Sequence, residues 1–199
     1  MAEPATPRHA ASLLLLRDGA AGPEVLMGLR GAGHRFMPNR LVFPGGAVDP
    51  EDRAAPAASA LRPPVLRRLL VSADAALAHA LGIAAARELE EETGLSLGRP
   101  PALGGFDYLC RAITPATQPI RFDARFFVID AALARGALGG SGELEGLRFY
   151  RVEEALALDL VTVTRGVLDQ LMAWRAMPPA ERDARTLTPV RVERGWITE

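Results

Sequence analysis

Glu88, Glu91 and Glu92, in the stretch Ala84–Leu95 that reads AAARELEEETGL, combine a type and a spacing that invite chemistry. At about 100° per residue, Glu91 lies about 60° to one side of Glu88 and Glu92 about 40° to the other, so one helix face carries all three carboxylates. Two such charges about 4 Å apart repel by about 4 kcal/mol at a surface-like dielectric. A hard divalent cation, Mg²⁺ or Mn²⁺, takes oxygen ligands of this kind and commonly holds phosphates as well. A bare glutamate run is ordinarily a solvated helix face. Three neighbours argue against that here. Arg87 stands four residues before Glu91, at ion-pairing distance on a helix. Gly94 follows as a left-handed helix stop. The turn Phe43-Pro44-Gly45-Gly46 lies upstream, after the strand-like Arg40–Phe43.

Together these features resemble the box of the Nudix hydrolases, G-x5-E-x7-R-E-U-x-E-E-x-G-U with U aliphatic. Arg87–Leu95 fills its second half without a mismatch, and Gly46 stands for its opening glycine. The resemblance implies an α/β fold, a Nudix-type α/β/α sandwich with a central mixed sheet. It also implies Glu88, Glu91 and Glu92 as ligands of Mg²⁺ or Mn²⁺, with Arg87 as their electrostatic brace. The pattern departs in two respects. Gly46 and Arg87 are 41 positions apart where the box asks for 14, a surplus of 27 residues placed at about 50–76. Counting back from Arg87 puts the box's first glutamate at His79, read here as structural or surface-exposed.

A split box of this kind, after Phe36-Met37-Pro38-Asn39-Arg40-Leu41-Val42-Phe43-Pro44-Gly45-Gly46, is similar to the branch that includes peroxisomal coenzyme A diphosphatases. A second coenzyme A signature, L-L-T-x-R-[SA]-x3-R-x3-G-x3-F-P-G-G, fits in part. Arg30, Arg35 and Phe43–Gly46 match it, whereas Gly28, Gly31 and Asn39 replace other residues.

The reaction so implied is hydrolysis of a nucleoside diphosphate linked to some group X. Coenzyme A or acyl-coenzyme A ranks first, and ADP-ribose, other nucleotide sugars or dinucleotides second. The rival from another class is a non-catalytic, nucleotide-sensing Nudix module, which predicts loss of the carboxylates. Arg30, Arg35 and Arg40 present planar donor forks suited to phosphates, and Gly45 and Gly46 let a substrate approach the backbone. A general base from a distant loop is a family habit. Glu143 in the glycine-rich Gly140–Glu145 is the first choice, in a loop able to move over substrate, with Glu145 second and the box glutamates still open.

At 199 residues the chain is read as one domain spanning 1–199 with the insertion at about 50–76. A formal net charge of −1 argues against broad binding of nucleic acid or anionic membrane. The expected partner is a small nucleotide derivative, with a homodimer possible. Cys110, the only cysteine, excludes an internal disulfide, fits a reducing cytoplasm, and reads as a core thiol. The early apolar run Leu13–Leu16 is too short for a secretory or membrane segment.

Strands are expected at Ser12–Arg17, Glu24–Arg30, Arg40–Phe43, Phe106–Ile113, Arg121–Ile129 and Leu144–Arg151. Helices are expected near Val65–Val71, from Asp74 as cap to Thr93, from Glu153 to Leu156, and over Thr164–Met177. In the last of these, Leu168, Leu171, Met172 and Trp174 suit core more than interface. The Ala/Pro-rich insertion, with a basic Arg67-Arg68 patch, is a candidate cap over the site. The tail after Pro178 shows no period and is expected loose or partner-bound.

Overall fold

The computed structural model describes residues 4–31 and 39–199. Among these, nine strands form one sheet. They are β1 (Arg8–Gly19), β2 (Gly22–Arg30), β3 (Leu41–Val42), β4 (Gly45–Ala47), β5 (Asp107–Ile113), β6 (Phe122–Asp130), β7 (Leu144–Arg151), β8 (Pro189–Val192) and β9 (Gly195–Thr198). The order is β3-β2-β1-β6-β5-β8-β9, with β4 also paired to β1 and β7 to β2. The pairs β1–β6 and β5–β8 are parallel and the rest antiparallel, so the sheet is mixed.

Strand β1 explains the unbroken leucine run. A strand alternates its side chains, and only one covered on both faces can be apolar throughout. Leu13 and Leu15 face a core shared with helix α2 (Ala75–Thr93), while Leu14 and Leu16 face a second core under helix α4 (Thr162–Ala176). Three shorter helices complete the layers: α1 (Pro63–Leu69), α3 (Val152–Leu156) and α5 (Pro179–Ala184). The result is the α/β/α sandwich with a mixed central sheet that the motif implied.

Helix α2 begins and ends where its signals lie. The Asp74 carboxylate accepts from the Leu77 N–H at 2.6 Å, satisfying a donor that the first turn leaves unpaired. Gly94 ends the helix at φ 74° and donates to the Glu90 carbonyl, a conformation that costs a residue with a Cβ about 1 kcal/mol or more. Small side chains on its inner face (Ala78, Ala84, Ala85) are fully buried and bring the helix close to the sheet.

Three expectations are corrected. The 50–76 stretch is not a cap over the site. Val65 and Leu69 of α1 are buried in the α2-side core, and the 3-10 turn Pro50–Arg53 packs beside the glutamate helix. Arg67 is exposed, but Arg68 does not join it in a basic patch. Arg68 is 2% exposed, and it donates to Asp107 at 2.6 Å and also to the Tyr108 carbonyl. The tail is not loose. It forms α5 and the β8–β9 hairpin, with β8 adding to the sheet beside β5. Leu168, Leu171 and Trp174 lie in the α4-side core with Met172 packed against it. Cys110 is fully buried there, and burial pushes its thiol pKa up.

Candidate active site

The C-terminal half of α2 carries the glutamates, and β4 passes directly over them. Glu92 is 2% exposed, and its carboxylate accepts from the Gly45 N–H at 2.8 Å. Glu88 lies so close to the next residue that a Cβ on Gly46 would stand 2.2 Å from its Oε1. Only glycine permits that approach. The paired glycines therefore let the strand backbone rest on two carboxylates.

Both carboxylates are uncomfortable as charges. Burial pushes the Glu92 pKa up to about 7, with repulsion from Glu88 and Glu143 adding to it, and the Gly45 N–H and Arg30 acting against it. Burial also raises the Glu88 pKa, opposed by Arg87 and reinforced by Glu91 and Glu143. Glu91 is on the exposed side. The three do not converge on one point: Glu88 and Glu91 both turn to Arg87 Nη1, at 2.9 and 3.2 Å, while Glu92 turns to β4. Among the described residues no group of three carboxylate, histidine or cysteine side chains is gathered as an ion cage.

Arg87 is itself held from the other side. Asp52, 3% exposed, accepts from its Nε and Nη2, both at 3.2 Å, and the Ala47 carbonyl accepts from Nη2 at 3.1 Å. Asp49 stands 3.4 Å away. Burial works against the guanidinium charge, yet Asp52 and Glu88 outweigh it and hold its pKa above the ordinary value. This two-sided fork is what a planar guanidinium does and an ammonium cannot.

Behind β4, on the α4 face of the sheet, lies a cavity of about 690 Å³. Arg30, Phe43, Gly45, Gly46, Phe126 and Thr164 are among its walls. The glycine strand is thus a thin partition, with carboxylates on one side and the cavity on the other. Arg30 belongs to both, since it eases the Glu92 charge and lines the cavity. Its buried Nε has no hydrogen-bond partner among the described residues.

No family model matches the chain, and no curated protein matches it by sequence. Solved structures do match. A Nudix hydrolase from Alicyclobacillus acidocaldarius is 28% identical, with a TM-score of 0.64 over 84% of this chain and 92% of that one. The chain has the Nudix fold, and this likeness supports a pyrophosphohydrolase of the Nudix type. A MutT Nudix hydrolase from Burkholderia pseudomallei, at 22% identity and TM-score 0.55 over 84% and 99% of the two chains, shares the fold. So does the Nudix domain of Shewanella oneidensis NrtR, complexed with ADP ribose, at 13% identity and TM-score 0.54 over 85% and 88%.

In the Nudix frame, Asp52 is the residue that sequence reasoning missed. Counting back from Arg87 across the insertion reached His79, whose ring nitrogen instead meets the Ala55 carbonyl at 2.8 Å. Counting forward from Gly46 by the box's own spacing reaches an acid, Asp52, before the surplus chain begins. The signal Asp-Pro-x-Asp was also present, as a capping box opening the Pro50–Arg53 turn, in which the Asp49 N–H donates to Asp52 Oδ2 at 2.8 Å. Asp52→Asn is expected to loosen Arg87 and lower kcat about 10- to 100-fold, the cost of losing a group that orients others. Rescue by Asp52→Glu, with KM little changed in both, would mark positioning rather than folding.

The remaining expected residues fall as follows. Glu143 is exposed on the loop before β7, and its charge is felt by both Glu88 and Glu92. That loop is tied down, with Gly139 N–H donating to the Thr93 carbonyl and Ser141 N–H to that of Glu91. Arg40 pairs with Asp159 at 2.7 Å. Arg35 lies outside the described residues. Among the described residues no helix is long and apolar enough to cross a membrane.

Proposed function

We propose that this Nudix protein hydrolyses the diphosphate linkage of coenzyme A or an acyl-coenzyme A, with Mg²⁺ or Mn²⁺ held by Glu88, Glu91 and Glu92. The observation carrying this reading is the buried Glu88–Glu92 pair pressed against Gly45-Gly46, with the Arg30-lined cavity on the other side of that strand. The donor set is of the kind a hard cation takes: carboxylate oxygens only, with burial raising the pKa of two of them. Such an ion supplies an acidified water and neutralises phosphate oxygens.

The chain's own residues do the rest. Arg87, clasped by Asp52, fixes the Glu88 and Glu91 carboxylates, and the Gly45 N–H fixes that of Glu92. Arg30 offsets the charge of the diphosphate next to Glu92. Glu143 accepts the proton of the attacking water, and the bond to the leaving phosphate breaks to give two phosphomonoesters. Preorganised charge of this sort is the main contribution a protein makes to phosphoryl chemistry.

A second reading is a nucleotide sugar such as ADP-ribose, the ligand named with the similar Shewanella domain. A product screen with Mg²⁺ and Mn²⁺ decides. Coenzyme A cleavage yields 3′,5′-ADP and 4′-phosphopantetheine, whereas ADP-ribose cleavage yields AMP and ribose 5-phosphate. Formation of 3′,5′-ADP that vanishes in Glu92→Gln supports the first reading. AMP formation from ADP-ribose alone supports the second.

A further inference from the structure

Twelve arginines in the described residues are ion-paired. Ten more are not, and three of these, Arg8, Arg30 and Arg191, line the cavity behind the glycine strand. The lining holds one acidic side chain among the described residues, Glu193, exposed at the tip of the β8–β9 hairpin. Guanidinium groups left without carboxylates around a concave site are suited to an anionic ligand.

Strand register says how far apart these charges start. Ser12 of β1 stands opposite Gly45, and Ala10 opposite Ala47. Arg8 is four residues from Ser12 on the same face, a displacement of about 13 Å. From Ala10 a row of small residues crosses the sheet, to Ala124 on β6, Ala112 on β5, and then Arg191 on β8. Three strand spacings of about 4.8 Å put Arg191 about 14 Å from Ala10. The three alanines are the floor, and bulky side chains there would fill the trough. Arg30 stands at the end near Glu92, with Arg8 and Arg191 at the far margins. The first turn of α4 adds Thr162 and Thr164 to the wall, and that helix has no side-chain cap.

Resting on the hydrolase reading above, we propose that Arg8 and Arg191 bind a second phosphate of the substrate, remote from the diphosphate that is cleaved. The preferred substrate class is then a nucleotide derivative carrying an additional phosphomonoester, and its unphosphorylated counterpart is a poorer ligand. Arg30 serves the scissile end, while Arg8 and Arg191 set selectivity.

Calorimetry of the full chain with adenosine 3′,5′-bisphosphate and with AMP tests this without requiring turnover. The bisphosphate is expected to bind about tenfold tighter or more, the scale of one charge-assisted contact. In Arg8→Gln/Arg191→Gln the ratio is expected to fall to within about twofold, and comparing two ligands on one variant controls for its folding. The kcat/KM ratio of coenzyme A to its 3′-dephospho form, and of NADPH to NADH, should move in parallel. Equal binding of the two nucleotides, or a preference that survives the double substitution, overturns the proposal. If no diphosphate is cleaved, the hydrolase reading fails while the calorimetric ratio still judges the arginines. Turnover that depends on Glu92 with a ratio near one overturns the arginine role alone.

Discussion

Glu92→Gln is expected to lower kcat about 10³-fold and, in metal-free buffer, to make the protein more stable. The first effect follows from removing one full charge from the group that would hold the ion, a loss comparable to that of a transition-state stabilising donor. The second follows from burial. Glu92 is 2% exposed and its pKa is pushed up to about 7, above the 4.5 of an ordinary glutamate. A group raised on folding contributes stability that is fully present below its unfolded pKa and is lost as pH rises through the folded one. The metal-free wild type should therefore lose stability between about pH 4.5 and pH 7, by about 3 kcal/mol at most. Glutamine keeps an oxygen to accept from the Gly45 N–H and carries no charge, so this part of the slope should disappear. Divalent ions should reverse the order by favouring the ionised wild type, and more at pH 8 than at pH 6. Denaturant melts of both proteins across pH, with chelator and with Mg²⁺, read all of this. A wild type and variant with parallel pH profiles in chelator would refute the account.

Asp107→Ala is expected to cost about 3–5 kcal/mol of stability, the scale for breaking a buried ion pair from one side. Asp107 accepts from Arg68 at 2.6 Å and from the Trp174 indole N–H at 3.1 Å, with Arg62 and Arg185 each 3.8 Å away. It thus ties α1 and α4 to the start of β5, and its loss leaves three guanidinium groups facing one another. Urea titration measures the effect. Because a buried pair can often be replaced by apolar side chains at little cost, Arg68→Met/Asp107→Leu should recover much of the loss. Failure of that double variant to recover any would mean that Trp174 and the outer arginines, rather than Arg68, set the value of this carboxylate.

These residues also show what a chain reveals of itself and what it withholds. The limits of α2 were legible because their causes are local: Asp74 bonds three residues ahead, and Gly94 supplies its own backbone angle. The glutamate face was legible for the same reason, being a matter of helical spacing. Arg68 was not, because its partner stands 39 positions along the chain and nothing near Arg67-Arg68 announces it. The β8–β9 hairpin was missed likewise. Its strands are four residues each, and β8 earns its place by pairing with β5, far earlier in the chain. Asp52 was within reach, and the direction of counting across an insertion decided the outcome.

The glycine partition has a consequence for how such a protein changes over time. The carboxylates sit on one side of the sheet, anchored to α2, and the cavity sits on the other, walled by α4, β8 and the ends of β5 and β6. Contact between the two passes through two residues of bare backbone and through Arg30. On the function proposed above, substitutions in the trough away from Arg30 would redirect the protein to another nucleotide without disturbing the carboxylates, and drift in the helix face would leave the trough's shape intact. On that reading, selectivity and reactivity would be inherited as largely separable traits.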